Sequence, residues 1–138
     1  MQGVRLWHKE LIQVLPKQQL LGQWRECCAI ARNISKKGTP NHLLVNAIIN
    51  YPISEFASYS LEIAREMHKR GFKCDWDKFE KYIGKWTYCQ IISVFRGWHN
   101  DRYLRQCYYN LQEKYDCGGI SDEEWKRIEN WKESRERC

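Results

Sequence analysis

The sequence lacks any apolar run long enough to span a membrane. A transmembrane helix needs about 20 consecutive apolar residues, and none of the 138 residues belongs to such a stretch. The first residues include charged side chains and do not form the apolar segment of a secretory signal. We therefore expect a cytoplasmic protein that does not associate with membranes.

The cysteines lack the spacing of a metal site. Seven cysteines, an odd number, cannot all pair, and no Cys-x-x-Cys motif occurs. On a helix the adjacent Cys27 and Cys28 would diverge by about 100°, so zinc binding with a distant histidine is the less favoured alternative. Reduced thiols packed as small hydrophobic side chains are the expected state. We predict no metal site and no cofactor.

The composition favours one globular domain that carries positive charge. The chain is within the usual size of one domain, so residues 1–138 are expected to form a single compact unit. The formal net charge is +6, and aromatic residues reach 14%, with seven tryptophans and eight tyrosines. A positive field combined with flat side chains suits a polyanion that contains stackable bases. The alternative is that the aromatic residues only fill the core.

The strict alternation of apolar and polar residues that marks β-strands is absent over any long segment, whereas helical periodicity recurs. Glycine and capping signals delimit the periodic segments, and a Ser-x-x-Glu capping box opens the last of them. The pattern predicts an all-α domain with helices over 15–33, 52–70, 77–82, 88–95, 101–115 and from 121 onward. Residues 88–95 are apolar enough for a buried helix or a buried strand, and we interpret them as a helix.

The polar side of the first predicted helix is unusual because a glycine lies in its middle. Gly22 costs about 1 kcal/mol of helix stability relative to alanine. Small residues surrounded by arginine and glutamine would let another molecule approach the helix backbone, and these side chains donate well to phosphates and base edges. The alternative is that Gly22 packs against another helix. The polar positions are Gln18, Gln19, Gln23, Arg25, Glu26 and Arg32, with Gly22 and Ala29 between them.

Glu26 is the only acidic residue between Glu10 and Glu55, in a segment otherwise rich in basic residues. A lone carboxylate in a positive patch weakens polyanion binding, so a general acid/base role or the stabilisation of a cationic intermediate would explain it. An ion pair with a neighbouring arginine is the alternative interpretation.

These residues resemble the N-terminal signature of the pyrimidine-dimer DNA glycosylase family. The family pattern places an arginine close to the amino terminus, followed by Gln-x-Leu, an aromatic residue and an Arg-Glu pair. A later helix that closes with Lys-Arg-Gly-Phe is similar to residues 69–72, and His42 is a further match. The resemblance covers roughly residues 4–74. The matching residues of the first block are Arg5, Gln18, Leu20, Trp24, Arg25 and Glu26.

The resemblance implies a monomeric enzyme of base-excision repair that acts on damaged double-stranded DNA. Such an enzyme is a DNA glycosylase with abasic-site lyase activity, and it attacks the sugar with its own α-amine to form a Schiff base. The amine would belong to Val4 if this residue is the true N-terminus, and otherwise to Met1. Glu26 would be the essential carboxylate. The DNA-binding side chains would be Arg5, Gln18, Gln19 and Arg25.

Two positions depart from the family pattern. Gln19 stands where the family has a histidine, and Ala29 stands where it has a second arginine, with Arg32 one helical turn further on. Two other functions remain open at this point. One is a catalytically inactive nucleic-acid-binding protein of the same fold, and the other is a helical domain whose tryptophan-rich C-terminal half docks another protein.

Overall fold

The computed structural model describes residues 5–38 and 46–137, which contain helices and connecting loops and no strand. This confirms the all-α prediction. Among the described residues, no helix is both long enough and apolar enough to cross a membrane. The α-helices are α1 (Lys17–Lys37), α2 (Ile53–Lys69), α3 (Trp76–Ile83), α4 (Asp101–Asp116) and α5 (Asp122–Arg137), and 3-10 helices cover Lys9–Val14, Asn46–Asn50 and Ile91–Ser93.

Helix α1 is the central element, and it packs against both α2 and α3. Its buried side follows the predicted spacing, with Leu20, Trp24 and Cys27 in the core. The helix continues four residues beyond the predicted end at residue 33. Gly38 ends it in the left-handed conformation, with φ of 77°, which glycine adopts at little cost.

Aromatic side chains pack α3 against α1. Trp24 of α1 stacks on Trp76 of α3 at 6.1 Å between ring centroids, and Trp76 stacks on Phe79 at 4.8 Å. Helix α3 begins at the N-cap residue Asp75, whose side chain accepts a hydrogen bond of 3.0 Å from the Lys78 backbone N–H. Side chains of α1 and α3 line one surface, to which Arg25 and Lys78 both contribute.

The last helix is tied to the beginning of α1. The predicted capping box is confirmed, because Ser121 Oγ accepts from the Glu124 N–H at 3.1 Å and Glu124 Oε1 accepts from the Ser121 N–H at 3.2 Å. The other carboxylate oxygen of Glu124 accepts a 2.8 Å hydrogen bond from the Lys17 N–H. One side chain thus caps α5 and the N-terminus of α1.

The helix predicted over residues 88–95 is wrong. This segment contains only the single 3-10 turn at Ile91–Ser93, and the residues from 84 to 90 have no regular structure. Side chains from distant elements satisfy its backbone instead. Glu55 accepts from the Phe95 N–H at 2.7 Å, and the Lys9 ammonium donates to the carbonyls of Ile92 and Val94 at 2.8 and 2.6 Å.

Candidate active site

The polar side of α1 lines a cavity of about 230 Å³, which contains four of the predicted site residues. Gln18, Gln19, Arg25 and Glu26 are brought together there. Trp7, Gly22, Gln23 and Lys114 complete the lining. The remaining catalytic candidates, Met1 and Val4, lie outside the described residues, and so does His42.

Gly22 lies on the wall of this cavity and is not used for packing between helices. A Cβ atom built at this position would meet only the Arg25 side chain, at 3.7 Å, which is ordinary van der Waals contact. The interpretation that Gly22 packs against another helix is therefore wrong. The glycine leaves the α1 backbone open to a molecule that enters the cavity.

The buried amide of Gln23 fixes the chain segment that leads away from the N-terminus. Its Nε2 donates to the Arg5 carbonyl at 2.8 Å, and its Oε1 accepts from the Trp7 N–H at 2.6 Å. The Tyr59 hydroxyl lies 2.6 Å from the Trp7 carbonyl and 2.9 Å from Gln23 Oε1. Gln23 is one helical turn before Glu26 on α1. Its hydrogen bond to the Arg5 carbonyl therefore holds Arg5 against the side of α1 that carries Glu26.

Helix α4 supports the same segment from the other side. The Tyr103 hydroxyl donates to the Leu6 carbonyl at 2.6 Å. The Arg5 guanidinium lies over the Trp7 ring at 5.6 Å, within the range of a cation–π interaction, and 4.0 Å from Cys107 Sγ. Arg5 does not line the cavity itself, but it flanks Trp7, which does.

The buried His8 follows this segment, and its ring stacks on the buried His99, from the loop before α4, with ring centroids 5.0 Å apart. His99 Nδ1 accepts from the Lys9 N–H at 3.0 Å, and His8 Nδ1 accepts from the Glu10 N–H at 3.1 Å. Burial lowers the pKa of His99 to about 2 and also lowers the pKa of His8. Both rings are therefore neutral at physiological pH, and they form part of the fold that holds the segment in place.

Sequence reasoning missed the roles of Gln23, Trp7 and Lys114. Gln23 carried a usable signal, because it lies three residues after Leu20 and four before Cys27, which is the spacing of core positions. Lys114 comes from α4, 88 residues after Glu26 in the chain. No local pattern reveals a contact of that separation.

The largest groove described below contains none of the predicted site residues. An open groove of about 940 Å³ lies along the end of α2 and the start of α3, lined by residues such as Arg65, His68 and Trp76. In the described ranges, no cluster of three or more histidine, cysteine or acidic side chains is placed to hold a metal ion. The six cysteines of these ranges are free thiols.

Comparison with known proteins gives the family of the chain. Comparisons with curated proteins and with solved structures gave no match. A family model described as pyrimidine dimer DNA glycosylase matches residues 4–79. This range is more than half of the chain, and it includes every residue that lines the cavity except Lys114. The chain belongs to the pyrimidine dimer DNA glycosylase family.

Proposed function

We propose that the protein is a DNA glycosylase with abasic-site lyase activity, and that it acts in base-excision repair through the α-amine of its N-terminal residue. One observation carries the proposal: Gln23 fixes the segment from Arg5 to Trp7 against the helix face that bears Arg25 and Glu26. In a chain that begins at Val4, the α-amine would be one residue away from Arg5, whose carbonyl Gln23 binds. The reactive amine would be that of Val4 in a chain that begins there, and that of Met1 otherwise.

An α-amine suits this chemistry better than a lysine. With a pKa near 7.7–8.0, about a tenth of such amines are unprotonated at pH 7, whereas a lysine near 10.4 is almost fully protonated. In the proposed reaction the nitrogen bonds to the sugar C1′ as the C1′–base bond breaks, and the base leaves with that electron pair and a proton. Loss of the amine proton and opening of the sugar ring then give the imine.

The imine makes strand scission possible by elimination. A proton leaves C2′, a C2′–C3′ double bond forms, and the C3′–oxygen bond breaks so that the 3′ phosphate departs with its electron pair. Water finally releases the sugar and restores the amine. Glu26 would transfer the protons of ring opening and elimination, and its negative charge would stabilise the cationic imine.

The other cavity residues would bind the DNA around the damaged nucleotide. The guanidinium groups of Arg25 and Arg5 suit phosphates, and the amides of Gln18 and Gln19 suit base edges. The Gln19 amide oxygen is buried and has no hydrogen-bond partner among the described residues. Leaving such a group unpaired costs about 1–3 kcal/mol, so a donor supplied by the substrate would be favourable there.

Borohydride trapping tests the proposal directly, because reduction of an imine links protein and DNA covalently. We expect an adduct with a duplex that contains an abasic site, formed by the chain as given or by a chain that begins at Val4. Pyrimidine-dimer duplex should also be cleaved, and undamaged duplex should not. If neither chain forms an adduct but both bind damaged DNA, the inactive DNA-binding alternative replaces the proposal.

The substitution Glu26→Gln tests the carboxylate, since it preserves size and hydrogen-bonding reach but removes charge and proton transfer. Strand scission should fall by about 10²–10⁴-fold, the usual contribution of one acid/base group, while DNA binding persists. Glu133→Gln, at an exposed position of α5, is the matched control and should retain full scission. Undiminished scission by the Glu26→Gln protein would show that Glu26 is not catalytic.

A further inference from the structure

A second cavity, of about 410 Å³, lies beside the active-site cavity on the same surface. The two cavities share the Arg25 side chain, so they form one continuous surface along α1 and onto α3. Of the residues that the sequence analysis placed on the polar side of α1, Arg25, Ala29 and Arg32 line the second cavity. Its lining consists of Trp24, Arg25, Cys28, Ala29, Arg32, Asp75, Lys78 and Tyr82.

Basic side chains of the described surface differ in whether a carboxylate neutralises them. Arg65, Arg70 and Arg135 each pair with a carboxylate. None of the ion pairs within the described ranges involves Arg32 or Lys78. Positive charge that is not neutralised by a neighbouring carboxylate favours an anionic ligand.

The one carboxylate in the lining is committed to the fold. Asp75 caps α3, with its Oδ1 accepting from the Lys78 N–H at 3.0 Å. Three cationic side chains, Arg25, Arg32 and Lys78, line the cavity against this single acid. The cavity therefore has an excess of positive charge, and the acid that it contains has a structural role.

The shape of the surface suits a chain of phosphates better than a single ion. Ala29 is exposed on α1 between Arg25 and Arg32, so a sugar–phosphate backbone can approach the helix closely there. Arg25 and Arg32 are seven residues apart, which corresponds to about 10 Å along the helix. Where the duplex axis runs along α1, this separation corresponds to about three nucleotides, because one DNA strand has a phosphate every 3.4 Å of that axis.

We infer that Arg32 and Lys78 form a phosphate-binding subsite that holds the DNA about three nucleotides from the damaged one. The inference rests on the proposed function, because it takes the cavity at Glu26 as the position of the damaged nucleotide. The ligand class is the phosphodiester backbone of duplex DNA. The subsite binds without reading sequence, since phosphate contacts position a protein on DNA and base contacts specify the site.

The experiment compares the double variant Arg32→Gln/Lys78→Gln with the control double variant Lys69→Gln/Lys126→Gln. All four residues are exposed, and each pair removes two positive charges. Binding to an abasic-site duplex is measured against salt concentration for both variants and for the wild type. Each lost phosphate contact reduces the slope of log K against log salt by about 0.9, so the subsite variant should show a slope shallower by about 1.8.

The position of the subsite is found with abasic-site duplexes that are shortened on one side of the lesion, so that one flanking arm of the duplex is shorter than the other. The difference between the two variants should disappear when the arm on one side of the lesion is cut below about three nucleotides, and it should persist when the other arm is cut. Equal slopes for the two double variants, in a protein that still forms the borohydride adduct, would overturn the subsite and leave the proposed function intact. If the slopes of the two double variants differ but the protein forms no borohydride adduct, the proposed function alone is refuted.

Discussion

Substituting Gly22 by alanine should stabilise the fold and impair the enzyme. The new methyl group would meet only the flexible Arg25 side chain at 3.7 Å, so it causes no clash within the protein. Alanine is favoured over glycine inside a helix by about 1 kcal/mol, and Gly22 lies well inside α1. The free energy of unfolding should therefore rise by about 0.5–1 kcal/mol.

The same methyl group would occupy the wall of the cavity on α1, where the proposal places the damaged nucleotide. We expect a slower rate of adduct formation with abasic-site DNA and weaker binding of the damaged duplex. Asn130→Ala, at an exposed position of α5, is the control, because it also raises helix propensity and should leave adduct formation unchanged.

Two measurements decide the outcome for Gly22→Ala. Denaturant unfolding gives the change in stability, and single-turnover trapping gives the change in activity. A stabilised protein with wild-type trapping would show that nothing approaches the backbone at Gly22. A destabilised protein would refute the conclusion that the position has room for a side chain.

Three further predictions concern residues whose roles depend on the tertiary structure. Gln23→Met leaves the Trp7 N–H and the Arg5 carbonyl unpaired. The free energy of unfolding, measured with denaturant, should therefore fall by roughly 2–4 kcal/mol. A decrease below about 0.5 kcal/mol would contradict the anchoring role of Gln23. Because burial lowers the pKa of His99 to about 2 from 6.5, the unfolded chain binds more protons below pH 6.5, and stability falls as the pH decreases from there. His99→Asn should reduce this loss between pH 6.5 and 4.5, as shown by unfolding at each pH, and an identical pH profile would refute the argument. Lys114→Gln should make the salt dependence of DNA binding shallower by about 0.9, whereas an unchanged slope would mean that Lys114 contacts no phosphate.

The elements that the sequence predicts well are those whose determinants are local. The apolar stripe of α1, the glycine after α2 and the Ser121–Glu124 capping box each depend on side chains within one or two helical turns. These signals give helix positions to within a few residues, as α2 and α5 illustrate. The cluster of Gln18, Gln19, Arg25 and Glu26 was also predictable, because all four lie on one helix and share one side of it.

The incorrect helix prediction concerns a segment whose backbone groups form hydrogen bonds with side chains from distant parts of the chain. The segment at residues 88–95 is apolar enough for a helix, yet its hydrogen bonds go to Glu55, Ser58 and Lys9. The backbone N–H and C=O groups of this segment can form hydrogen bonds within a helix or to side chains from other elements. Which of the two occurs depends on the side chains that the fold brings near the segment. That information is absent from the local pattern.

The sequence by itself determined the helical class, the positive charge and the polar face of α1 that carries Arg25 and Glu26, since periodicity and composition act through neighbours along the chain. Only the tertiary structure decided how that face becomes a site. The segment at Arg5–Trp7 is held there by Gln23, Tyr59 and Tyr103, which come from three different helices. Lys114 and Lys78 reach the same surface from α4 and α3. Such contacts arise because burying the core fixes the helices relative to one another, and no short stretch of sequence encodes that geometry.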